Sequence, residues 1–113
     1  MDTKSTIEQF EQEYPTLAKS YKEILKQQYE LFASKMIDYG LANIAQGNTL
    51  ETPEEKKFSL TAIFIRMNDK MSRWKNMLMK NQTPKNETLL DTYKDLTNYA
   101  IIAQLVDQDK WKK

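Results

Sequence analysis

Apolar residues recur along this chain at intervals of three and four, the period of an α-helix, and sustained alternation is nearly absent. Between Pro15 and Tyr39, the residues Leu17, Tyr21, Ile24, Leu25, Leu31, Phe32 and Met36 keep mostly to that spacing. Gly40 supplies a left-handed stop, so the pattern predicts one long helix here. Thr52-Pro-Glu-Glu55 is a capping box with proline at the first helical position, and it opens a second long helix reaching about Lys80. At about 100° of rotation per residue, Leu60, Ile63, Phe64, Met67, Met71, Trp74 and Leu78 share one side of that helix and form its predicted core face.

The turn Asn81-Gln-Thr-Pro-Lys-Asn86 precedes a third long helix, from about Glu87 to Asp107. Its Leu89, Leu90, Tyr93, Leu96, Ala100, Ile101, Ala103 and Leu105 make a wide apolar surface. At the other end of the chain, Ser5-Thr-Ile-Glu8 has the form of a capping box and opens a short helix to about Glu13, which Pro15 ends. Leu41 to Glu51 is the one loop of substantial length, and Asp109 to Lys113 is expected to fray. The reading is all-α: one domain over 1–113, a small bundle of three long helices, with a peripheral short helix in 1–14 and a loose tail at 108–113.

Composition narrows the chemistry. Seventeen Lys and Arg stand against sixteen Asp and Glu, so no global charge excess draws the chain to a nucleic-acid backbone or an anionic membrane, and any anion site must be local. There is no Cys and no His. Disulfides, thiolate chemistry, thiolate metal sites and imidazole proton transfer are thereby excluded and the commonest zinc ligand is missing, leaving carboxylates, Lys, Arg, Tyr and hydroxyls, with a hard ion such as magnesium or manganese as the expected type of metal. The polar N-terminus and the absence of a bilayer-length apolar run predict a cytoplasmic protein with no membrane partner.

Three patches carry the candidate chemistry. On the last helix Glu87, Asp91 and Asp95 follow at one-turn spacing, with Asn98 a turn further on, and carboxylates so placed can converge on a hard cation such as Mg²⁺. On the helix before it Arg66, Asp69, Lys70 and Arg73 flank the predicted core stripe, a set suited to phosphate. Lys35, Asp38 and Tyr39 end the first long helix, where the tyrosine ring can stack on a base. Each patch also has a structural reading: a solvated acidic face, an interhelical salt-bridge network, and a helix C-cap with an ion pair.

Taken in order, Lys35-x-x-Asp38-Tyr39-Gly40, then Ile63-x-x-Arg66-x-x-Asp69-Lys70-x-x-Arg73, then Asn86-Glu87 through Asp91 and Asp95 to Leu96-Thr-Asn98-Tyr99-Ala-Ile-Ile, resemble the nucleotide modification associated domain family of the first type, found in bacteriophages and bacteria. The resemblance covers about residues 29 to 106 and implies a role in nucleotide or modified-base metabolism, without implying a reaction. A weaker similarity is to the MazG-like all-α nucleotide pyrophosphohydrolases, whose ExxE and ExxD pairs this chain lacks on its long helices, since Glu87 and Asp91 are four apart. The expectation is therefore a nucleotide or other phosphorylated small molecule bound by Lys35, Asp38, Tyr39, Arg66, Asp69, Lys70, Arg73 and Asn98, with magnesium at Glu87, Asp91 and Asp95. Magnesium-dependent hydrolysis of a phosphoanhydride is the reaction these groups favour; capture without turnover and a protein-interaction role are the alternatives. A chain of this size often completes its core by pairing, so a homo-oligomer is also expected.

Overall fold

Local capping signals fix where three of the five described helices begin. A computed structural model of the chain describes residues 2–80 and 88–113, and among them there are helices and no strands. Helix α1 spans Thr3–Glu13, α2 Pro15–Tyr39, α3 Ala42–Ala45, α4 Pro53–Lys80 and α5 Leu89–Asp107. The expected box at Ser5 is not used: Asp2 caps α1 instead, its carboxylate accepting from the Ser5 N–H at 2.7 Å. At α4 the N-cap half of the predicted box forms, the Thr52 hydroxyl accepting from the Glu55 N–H at 3.1 Å, while the Glu55 carboxylate turns back to the N–H groups of Thr49 and Leu50 at 2.9 and 3.2 Å. Helix α5 starts two residues later than expected because Thr88 and Asp91 make a box of their own, at 3.1 Å for the Asp91 N–H and 2.8 Å between the side chains. The predicted turn 81–86, and Glu87 with it, lie outside the described residues.

The chain divides into two compact units, Met1–Ser34 and Lys35–Lys113, with the division inside α2. The first holds α1 and most of α2, and its buried side chains are Ala18 and Gln28. In the second, α4 and α5 run antiparallel: Lys56, Lys70 and Arg73 contact Asp107, Asp95 and Thr92 in reversed order. Ile63 and Val106 are fully enclosed, each contributing about 1.5–3 kcal/mol.

Two expectations are corrected here. The stretch Leu41 to Glu51 contains the single turn α3, whose Ile44 and Ala45 are buried; the Ser59 hydroxyl reaches the Ile44 carbonyl at 2.6 Å. The tail does not fray, because Trp111 is buried and its indole N–H donates to the Leu41 carbonyl at 3.0 Å.

The facing surfaces of α4 and α5 also differ from the predicted stripes. Ile63 is buried as expected, but Phe64 and Leu78 are 66% and 64% exposed, and Met71 is exposed with them. The side of α4 turned towards α3 and α5 carries Ser59, Ile63, Arg66, Lys70 and Arg73. On α5 the buried residues are Thr92, Asn98, Ile102 and Val106, whereas Leu90, Tyr93 and Ile101 are exposed. Hydrogen-bonding partners on the neighbouring elements, an Ile44 carbonyl, a Thr92 hydroxyl and an Asp95 carboxylate, set this rotation and draw the basic residues inward.

Candidate functional site

The inward rotation of α4 creates a charged junction inside the second unit. Asp95 projects from α5 and is only 18% exposed, and its two oxygens are held by two lysines from different segments. Lys35, on the last turn of α2, approaches Oδ1 at 3.0 Å, and Lys70, in the middle of α4, approaches Oδ2 at 3.0 Å. Burial is the largest influence on the Asp95 carboxyl and pushes its pKa up, yet the hydrogen bonds and charges of Lys35 and Lys70 together outweigh it and leave the group below its ordinary value.

That shift has a consequence for pH. Because the folded carboxyl is the stronger acid, the stability it contributes is fully present above the ordinary Asp range and is lost as pH falls below about 4. Thermal melts from pH 7 down to pH 2 are expected to fall less steeply at the acid end for Asp95→Asn than for the natural chain; parallel curves would mean that the junction adds nothing to stability.

One turn to either side of Asp95 the same face of α5 continues in polar groups. Thr92 is fully buried, and its hydroxyl accepts from Arg73 at 2.8 Å. Asn98 is buried too, and its Nδ2 has no hydrogen-bond partner among the described residues. A buried amide left in that state costs free energy that a ligand or water acceptor would recover. Arg66 lies one turn from Lys70 on α4 and donates to the Asn43 carbonyl at 3.2 Å.

The structure thus gathers Lys35, Lys70 and Asp95 in direct contact, with Arg73 and Asn98 on the same stretch of α4 and α5. Asp38, Tyr39 and Asp69 are exposed and make no described contact with the junction. Asp91 is exposed and takes the Thr88 hydroxyl, and no group of three or more carboxylates converges among the described residues. Sequence reasoning passed over Thr92, whose signal was its place three positions before Asp95 on the inward side.

A separate open cleft of about 660 Å³ lies at the other end of the α4–α5 pair, lined by Lys56, Lys57, Leu60, Phe64 and Asp107 among others. Lys56 is already anchored there, donating to the Asp107 carbonyl at 3.0 Å and pairing with Asp109 at 3.2 Å. The pair closes off the carbonyl end of α5, a capping role that needs no ligand. Size favours this cleft, but buried polar chemistry favours the Asp95 junction.

No helix among the described residues is long and apolar enough to cross a membrane. A family model described as nucleotide modification associated domain 1 matches residues 35–106, beginning where the second compact unit begins and containing the whole junction. No curated protein and no solved structure matches the chain.

Proposed function

The chain belongs to the nucleotide modification associated domain 1 family, and from that premise we propose that it binds a nucleotide through its phosphates at the Lys35–Asp95–Lys70 junction. One observation carries the reading: two ammonium groups from distant segments address the two oxygens of a single half-buried carboxylate. A phosphate presents the same pair of oxygens with more charge, so Asp95 acts as an internal stand-in that keeps both lysines ordered until a phosphate draws them away. Arg66 and Arg73 extend the basic face along α4, and Asn98 supplies an amide donor to a base or sugar acceptor.

Tyr39 and Asp38, at the exposed end of α2, and Asp69 belong to the rim of such a site, where a base can stack without deep burial. Magnesium in this reading arrives with the phosphates, and Asp91 is the exposed carboxylate placed to receive it, with Glu87 preceding it in the chain. The two ammonium groups on Asp95 repel a divalent ion, so that carboxylate orders lysines. With neither imidazole nor thiol in the chain, hydrolysis of a phosphoanhydride by metal-activated water is the reaction class that the available groups fit best. The commitment of Asp95 to lysines favours a second reading, capture of the nucleotide without turnover.

Incubation with a panel of canonical and base-modified nucleoside mono-, di- and triphosphates, with and without magnesium, separates the two. Product in the presence of metal supports hydrolysis. Ligand recovered unchanged, together with a raised melting temperature, supports capture. Neither binding nor turnover anywhere on the panel would sink the proposal.

A further inference from the structure

The first unit poses a different question, because it holds two helices and almost nothing to bury them. Helix α1 has no buried residue, and α2 presents Leu17, Tyr21, Ile24 and Leu25 on one side, with Tyr21 and Ile24 62% and 60% exposed. An eleven-residue helix is marginal in water without tertiary packing. The stripe lies outside the stretch that matches the family, which starts at residue 35. We propose that this face of α2 is a dimerisation surface whose occupant is the same face of a second copy of the chain.

Three observations select that occupant. The first is area: the four exposed side chains offer on the order of 500 Å², rising to about 800 Å² when Tyr14 and Tyr29 at the margins are added, and a standard specific interface takes about 800 Å² from each partner. The second is charge. The opposite face of α2 carries Lys19, Glu23, Lys26 and Glu30 in alternating sign at helical spacing, uncharged Ser20 and Gln27 border one edge of the stripe, and Lys22 at the other edge is paired with Glu11, so the helix has little net attraction for a polyanion or an anionic bilayer.

The third is symmetry. A two-fold axis through Tyr21 maps the stripe onto itself in an antiparallel pair: Leu17 meets the partner's Leu25, and the two Tyr21 rings meet each other. The central aromatic pair is of the kind that adds to simple burial. The exposed stretch is centred on that axis. Beyond it Gln28 is already buried, and Leu31 and Phe32 are partly covered.

The chain has no cysteine, so a single introduced one reports unambiguously. Sedimentation of the full chain is expected to show a dimer, and Tyr21→Glu, which sets two carboxylates against each other on the axis, is expected to raise the dissociation constant at least 100-fold with helicity by circular dichroism unchanged. Tyr21→Cys is expected to form a disulfide-linked dimer on mild oxidation, and Lys26→Cys on the opposite face is not. Each of three results overturns the proposal: a monomer at about 100 µM, a dimer indifferent to Tyr21→Glu, or a monomer that floats with phosphatidylcholine–phosphatidylglycerol vesicles.

Discussion

Lys70→Met is expected to weaken nucleotide binding by ten- to a hundredfold while leaving the fold nearly as stable as before. Methionine keeps the length and apolar stem that pack along α4, so what is removed is the charge and its hydrogen bonds to phosphate, about 1.5–3 kcal/mol. Stability changes little because Asp95 keeps Lys35 as a partner on its other oxygen and retains some access to water. Isothermal titration with the best ligand from the panel, paired with urea unfolding of the same variant, reads both quantities. Equal losses of affinity and stability would mean that Lys70 is a structural residue and the junction a salt-bridge network.

Trp111→Ala is expected to cost about 3 kcal/mol, because truncating a buried tryptophan leaves a cavity. It also strands the Leu41 carbonyl, which now accepts the indole N–H at 3.0 Å. The effect should appear as a lower urea midpoint followed by far-ultraviolet circular dichroism, which does not depend on the lost chromophore. A cost under 1 kcal/mol would show that the tail adds little to the fold. Because Leu41 follows the last turn of α2, which carries Lys35, the variant is also expected to loosen that end of the junction.

Much of the helical framework was legible because local signals suffice for it. Proline at 15 and 53, glycine at 40 and the Thr52 box place the limits of α2 and the start of α4 where they occur. The one-turn α3 was not legible, since four residues carry no periodicity and its stability comes from Ser59 and from the burial of Ile44. Trp111 was missed for a related reason: a lone aromatic among lysines reads as exposed unless its partner, seventy positions away, is known.

The candidate site was legible in its residue types and not in its geometry. Lys35, Lys70 and Asp95 stood in three separate patches, and only the tertiary fold brings them to one point. The wheel for α4 placed the apolar side correctly around Ile63 but assumed that the whole stripe faces inward. A helix that finds hydroxyl and carboxylate partners on its neighbour turns its cations towards them instead, and Phe64 and Leu78 are left on the surface. Asp38, Tyr39 and Asp69 shared their neighbours' spacing without sharing their direction.

The most direct test of phosphate binding at Asp95 is a titration of the nitrogen-15-labelled chain with a magnesium nucleoside triphosphate, followed amide by amide in NMR spectra. Perturbed signals are expected to cluster at Lys35, Lys70, Asp95 and Asn98, including the Asn98 side-chain amide, and Lys70→Met is expected to abolish the cluster at the same ligand concentration. A titration that leaves those residues unmoved, or moves instead those around Lys56 and Asp107, would contradict phosphate binding at Asp95.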